Sequence, residues 1–537
     1  MQKRKLLALT LIMATTLNCV SCSKEKTKTK KRHKSETETV ETVESTETSK
    51  TTETTRNTQN TEPVVETTSE STTPITESND NPYAIEFLAE DLRYHYNLDL
   101  YLDTENNKVG GSVTIDFYNN SNDDWDSIAL RDYPTYFGET TEIYNIVDHR
   151  MDADLSMERG GADSTVVYLP LTDTLKSGEY MTLSYDFEAS LPIVNDRFGV
   201  DDENDIYNVT NFYPILDFYS NGEWGEEPYF PDGECFVSEI SDYDVTLTLP
   251  SDMVIASTGE IISEQIDGDE KTVIMRAPCV RDFVFCASSN FNVVEQDCNG
   301  VNVRFVYDKD LESSVSALTS ATFDSIEYTF DIAEDKLGMY PYKELDVVLS
   351  NMSSGNAGGM EYPNLVIITI YVSRNFIDQF TYEEILIHEV IHQWFMGIVG
   401  SNSGTEAWLD EGVTQYVSDS IFMDYNNASL GYSDSHYDTA IYDYYAEDGL
   451  LPISRRNVDF EFDDYVMAVY YITSQTLDCI HDYMGDELFY EFLHEYVQEY
   501  AFKNATGEDF FNLLLQYDDL DDEDLRYILK LCWEIDI

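Results

Sequence analysis

The segment His388-Glu389-Val390-Ile391-His392 holds the residue types best suited to chemistry. Thr381 and Glu384 have capping-box spacing just upstream, which predicts a helix beginning near Tyr382. Residues four apart on a helix share a face, so both imidazoles can grip one metal ion. Glu389 is then turned toward a water activated by that metal. A catalytic zinc site takes three protein ligands and keeps one position open. Glu411 follows His392 after eighteen residues, in Trp408-Leu409-Asp410-Glu411-Gly412, and is the candidate third ligand. A helix predicted over 406–423 would bring it across. Phe395 and Ile398 stand where a glycine and a third histidine would complete an all-histidine site, which excludes that class. Two imidazoles and one carboxylate suit a single Zn²⁺. His33, His95, His149, His436, His481 and His494 have no ligand spacing. Ile385, Leu386, Val390 and Ile391 give the motif apolar flanks, which argues against two solvent-facing histidines on an acidic helix.

The elements that must position these groups fall into two blocks. From 83 to 297, stretches such as Tyr94–Asp103 and Tyr243–Pro250 alternate apolar and polar residues, with Gly, Asn, Asp and Pro between them. That pattern predicts an antiparallel, sandwich-like β domain. From 298 to 537 the rhythm is mostly helical, with strands expected at Glu344–Ser350 and Leu365–Ile370. At 537 residues the chain exceeds one core, and the expected class is multidomain α+β. Glu361 lies just before the second of those strands. If that strand is an edge, it can align an extended segment by strand addition; judged alone, one Glu in a Gly-rich turn is more often structural.

The first 22 residues read as an export signal: Lys3, Arg4 and Lys5, then the apolar run Leu6–Leu17. Cys22, after Cys19-Val20-Ser21, resembles a lipidated cysteine. The expected location is the outer face of a bacterial membrane, or secretion if Cys22 is not modified. Residues 23–82 are rich in Thr, Ser, Glu and Lys and read as a disordered tether. Its basic start is suited to anionic head groups. The net charge of −71 disfavours nucleic acid as a partner. Apart from Cys19 and Cys22, six cysteines show no C-x-x-C pair, which argues against a cysteine zinc cluster.

Together, H-E-x-x-H, the eighteen-residue spacing and Glu within W-L-D-E-G resemble the signature of the aminopeptidase N and leukotriene-hydrolase family of zinc metallopeptidases, the M1 gluzincins. Upstream, Gly358-Gly359-Met360-Glu361-Tyr362 resembles that family's G-A-M-E-N motif, with Gly for Ala and Tyr for Asn. The likeness extends over most of 83–537. It implies a β domain packed on a thermolysin-like catalytic domain, without the large C-terminal helical domain of many members, since only 126 residues follow Glu411. It implies Zn²⁺ on His388, His392 and Glu411, Glu389 as general base, and Glu361 on the substrate amine. Gly358, Gly359 and Met360 would bind substrate backbone, and Asn211 would touch the amine from the β domain. The family's oxyanion tyrosine falls at Tyr470, fifteen residues before Gly485, with Tyr471 as rival. The second-sphere partners remain open between Asp410 and Glu406. The implied activity is hydrolysis of N-terminal residues from peptides with a free amine. A zinc endopeptidase on the same scaffold, an epoxide hydrolase like the leukotriene branch, and a surface binding protein without catalysis are the alternatives.

Overall fold

The computed structural model describes residues 84–138, 141–352, 358–372, 375–427, 439–450, 452–518 and 520–535. The expected signal, the tether at 23–82 and Cys22 lie outside the described residues.

The first block is β-rich. Its largest sheet has eight strands, in the order Glu260–Asp267, Glu270–Val280, Ser241–Pro250, Tyr94–Asp103, Lys108–Tyr118, Tyr180–Ser190, Thr141–Asp148 and Ala153–Asp154. Strict alternation builds it: Tyr94, Tyr96, Leu98, Leu100 and Leu102 point into the core while Asn97 and Asp99 face solvent. One pairing departs from the antiparallel expectation. Tyr94–Asp103 runs parallel to Ser241–Pro250, with Tyr96 opposite Tyr243. The chain reaches the second strand only after building one further four-stranded sheet in full and another in part, and such a crossover is what parallel pairing requires.

The second block opens on a five-stranded sheet in the order Phe291–Cys298, Val301–Asp308, Glu344–Ser350, Leu365–Thr369 and Gly359–Met360. Leu365–Thr369 is buried throughout, as a strand covered on both faces should be. It is not the edge. The edge is the two-residue strand Gly359–Met360, paired antiparallel through Gly359–Ile368 and Met360–Ile367. Helix Glu312–Lys336 lies against helix Gln379–Ile391, and the rest of the block is helical through Glu523–Trp533. The architecture is thus a mostly β domain followed by a mostly helical one.

Arg281 fastens the two blocks. Its guanidinium donates to the carbonyls of Ser238, Met396, Gly397, Ile398 and Lys503 and to Asn504 Oδ1, at 2.6–3.3 Å. Cys235, Cys279, Cys286, Cys298, Cys479 and Cys532 are free thiols. No helix among the described residues is long and apolar enough to cross a membrane.

Candidate active site

Helix Gln379–Ile391 starts three residues before the predicted position, because Asp378 caps it: its carboxylate accepts from the backbone N–H of Thr381 at 3.2 Å. His388 lies in its last turn and His392 at its C-cap, one turn apart. The expected second helix is broken. Glu406 has non-helical backbone angles (φ −136°, ψ 46°), so Ser403–Ala407 ends there in a kink. Trp408–Gly412 follows as a π-helical turn, and Val413–Tyr425 continues as an α-helix. A second π-helical turn, Val466–Ile472, packs against the first. Gly412 permits the approach, since a Cβ there would collide with the Thr473 side chain and the Val469 carbonyl. Each π turn delivers one site residue, Glu411 from the first and Tyr470 from the second; such turns are frequent at functional sites.

Three donor atoms converge. His388 Nε2 and His392 Nε2 are 3.1 Å apart, and Glu411 Oε2 is 3.3 Å from the first and 3.2 Å from the second. A tetrahedral zinc with bonds of about 2.0–2.1 Å separates its ligands by roughly 3.3 Å. The donor set therefore fits Zn²⁺ in both type and spacing.

The imidazoles are held from behind. His392 Nδ1 lies 2.9 Å from Asp410 Oδ1, 3.1 Å from the Phe395 carbonyl and 3.2 Å from Thr414 Oγ1. Asp410 Oδ2 in turn accepts from Ser403 Oγ at 2.7 Å. His388 Nδ1 faces Ser418 Oγ at 3.4 Å. Asp410 thus fixes the ring of a candidate ligand, the usual arrangement around zinc histidines. Glu406 does other work, accepting from the Gly507 N–H at 2.7 Å.

Electrostatics follow from this packing. Burial pulls the His392 imidazole down, but Glu411 and Asp410 outweigh it and hold it well above its usual value. Burial lowers His388. Burial alone would lift Glu411, yet the two imidazoles overcome it and keep the carboxyl far below the carboxylate range. Burial pushes Glu389 up to about 8 against the pull of His392. A carboxyl in that range can both accept and return a proton near neutrality.

Donor atoms of Glu361, Glu389 and His392 lie within 4.8 Å of one another, so the G-G-M-E-Y glutamate and the motif glutamate flank the same ring. Gly359 makes room: a Cβ there would strike the Glu389 carboxylate. Glu361 is buried, and burial followed by the charge of Glu234 raises its carboxyl well above the usual range. Gly358, Gly359 and Met360 sit at the open edge of the sheet. Tyr362 ties this segment to the β domain, its hydroxyl lying 2.7 Å from Thr210 Oγ1 and 3.0 Å from Asn211 Oδ1. Asn211 is committed on its other side too, donating to Asp282 Oδ2 at 3.0 Å, and it adopts a left-handed backbone (φ 47°). It borders the same cavity as Glu361.

The two tyrosines separate. The Tyr470 ring stacks on His388 (centroids 6.1 Å, 23°), and burial followed by the charge of Glu411 holds its hydroxyl well above the usual value. Tyr471 instead interacts with Tyr445. Sequence reasoning missed Glu234, a β-domain carboxylate that borders the cavity beside Glu361; no local motif marks it. Asp410 was legible only as a neighbour of Glu411.

Residues 321–530 match the model of the peptidase family M1 domain. The chain is 24% identical over 291 residues to aminopeptidase M1-D of Oryza sativa subsp. japonica, a match covering 51% of this chain and 32% of that protein. It is 24% identical over 286 residues to aminopeptidase M1 of Arabidopsis thaliana, covering 50% and 31%. The chain thus spans about a third of the length of these relatives. Its fold resembles that of an M1 zinc metallopeptidase from Deinococcus radiodurans, with TM-score 0.59 and 17% identity over 82% of this chain and 93% of that one. A mutant of the Deinococcus radiodurans M1 zinc metallopeptidase with a Tyr-Ser-Ala substrate bound is similar at TM-score 0.57, with 17% identity over 82% of this chain and 93% of that one.

Proposed function

Because residues 321–530 match the peptidase family M1 domain, we propose that this chain is a zinc-dependent aminopeptidase that releases N-terminal residues from peptides at the cell surface. The observation that carries the reading is the convergence of His388, His392 and Glu411 on one point, with Glu361 buried a few ångströms away. Those three residues would hold Zn²⁺. When bound, zinc supplies Lewis-acid polarisation of the scissile carbonyl and acidifies the attacking water.

The chain's own residues do the rest. Glu361 pairs with the substrate ammonium and places the first peptide bond beside Glu389. Glu389 takes the proton of the attacking water and returns it to the leaving amine. Tyr470 donates its hydroxyl proton to the oxyanion that develops on the carbonyl. The edge strand Gly359–Met360 offers its outward backbone groups to the peptide. Asp410 keeps His392 oriented throughout. Asn211 acts through Tyr362 and Asp282, holding the Glu361 segment against the β domain.

Surface attachment through lipid on Cys22, with the basic start of the tether against anionic head groups, completes the proposal; the N-terminal signal pattern supports it. Mass analysis of the mature N-terminal peptide tests this part, and an unmodified or absent Cys22 would make the protein a secreted one. The catalytic reading is tested by hydrolysis of aminoacyl-coumarins with and without a chelator, alongside metal content. Chelator-sensitive turnover that zinc restores is expected. Turnover indifferent to metal, or equal cleavage of N-acetylated peptides, would overturn it.

A further inference from the structure

Between Glu361 and the β domain lies a partly open cavity of about 50 Å³. Its wall bears four carboxylates, Glu234, Asp282, Glu361 and Asp410, and one guanidinium, Arg281. Three of these charges are already committed. Arg281 is taken up by the six acceptors described above. Asp282 accepts from Tyr213 Oη at 2.7 Å, from Asn211 Nδ2 at 3.0 Å and from the Phe283 N–H at 2.7 Å. Asp410 Oδ2 accepts from Ser403 Oγ, and its Oδ1, without a hydrogen-bond partner among the described residues, is engaged as an ion pair by the His392 ring at 2.9 Å. Glu361 and Glu234 remain.

Glu234 is 4% exposed. Its Oε1 accepts from Arg197 Nη1 at 2.7 Å, which fixes the direction of the other oxygen. That oxygen, Oε2, is buried with no hydrogen-bond partner among the described residues. Ser401 Oγ, in the same wall and 7% exposed, also lacks one. A buried polar atom without a partner forfeits its hydration and gains nothing in return. Two such acceptors beside one cavity create a demand for donors. Phe236 and Ile215 supply apolar wall between them.

We infer that this cavity receives the first side chain of the substrate and that Glu234 selects a cationic one, arginine or lysine. The inference rests on the aminopeptidase reading and deepens it. With the ammonium on Glu361, the methylenes run along the apolar wall and the terminal donors reach Glu234 Oε2 and Ser401 Oγ. A guanidinium has five N–H donors and an ammonium three, enough for both acceptors. An apolar side chain such as norleucine leaves Oε2 unpaired and further desolvated, so it is rejected as well as less well bound, while the neutral donors of citrulline meet Oε2 without the charge that strengthens the bond. Burial pushes the Glu234 carboxyl up to about 7 against the pull of Arg197, and a second cation keeps it ionised. The strongly acidic chain draws cationic peptides toward the cleft.

The test compares coumarin amides of arginine, citrulline, lysine and norleucine on the full zinc-loaded chain. Citrulline matches arginine in length but is neutral. Hydrogen bonds to a charged group are worth about 1.5–3 kcal/mol, so kcat/KM should favour arginine over citrulline by about 10–100-fold. In Glu234→Gln that ratio should fall to within about threefold. A ratio already that small in the native chain, or an undiminished ratio in the variant, overturns the inference. If the variant does not fold, competitive inhibition of the native chain by free L-arginine against L-citrulline decides, and equal inhibition overturns it. Zinc-dependent turnover without a basic preference sinks this inference alone, whereas no turnover on any substrate sinks the aminopeptidase reading.

Discussion

Replacing Asp410 with alanine removes the carboxylate 2.9 Å behind the His392 ring while leaving all three candidate zinc ligands in place. The lost interaction is charge-assisted, worth about 1.5–3 kcal/mol. The Phe395 carbonyl, already 3.1 Å from the same nitrogen, recovers part of it as a neutral hydrogen bond of about 0.5–1.5 kcal/mol. The net loss of about 1.4 kcal/mol corresponds to about tenfold weaker zinc binding, the lower end of what such losses cost. Asp410→Asn, which keeps an acceptor oxygen without the charge, should fall between the two. Competitive titration of the metal-free protein against a chromophoric chelator measures this directly. Glu406→Ala is the control, because Glu406 lies close in sequence but accepts from Gly507 instead. A change under about twofold in Asp410→Ala, or an equal loss in Glu406→Ala, would refute the idea that Asp410 orients a ligand.

The remaining predictions concern turnover and packing. Glu389→Gln should bind zinc normally yet lose nearly all hydrolysis, as read by metal content and coumarin release. Glu361→Ala should depress cleavage of free-amine substrates far more than of N-acetylated ones; equal loss on both would remove the anchor role. Tyr470→Phe should lower kcat about 10²–10³-fold at unchanged zinc content, as removal of one oxyanion donor does, while Tyr471→Phe should have little effect. Gly412→Ala should destabilise the fold by about 1–3 kcal/mol through collision with Thr473, seen as a lower unfolding midpoint in urea.

The candidate zinc ligands were legible because helical periodicity fixes the geometry of H-E-x-x-H, and because the distance to Glu411 is a matter of spacing alone. The choice between Tyr470 and Tyr471 was not. Both lie on a π-helical turn, where an extra residue per turn rotates the side chains away from the directions that a 3.6-residue period assigns. The same distortion hid the break before Glu411. The edge beside Leu365–Thr369 was not legible, because the strand that forms it, Gly359–Met360, is two residues long and gives no alternating pattern. The parallel pairing of Tyr94–Asp103 with Ser241–Pro250 is a long-range property that alternation within either strand does not encode. Glu234 was invisible for a similar reason: its significance comes from which residues the fold sets beside it.

The Arg281 clamp has a consequence for how the molecule comes apart. The three carbonyls of Met396, Gly397 and Ile398 follow directly on the helix that ends in His392, and Met396 holds a backbone φ of 110°, a costly angle for a residue with a side chain. The donor that offsets that cost belongs to the β domain. Removing the N-terminal half would take the Arg281 donor from five acceptors of the helical half and free the very turn that steadies His392, so the helical half cannot be excised as a self-sufficient enzyme. Denaturation should accordingly proceed as a single concerted event reported alike by β and helical signals, with loss of metal affinity at the same midpoint.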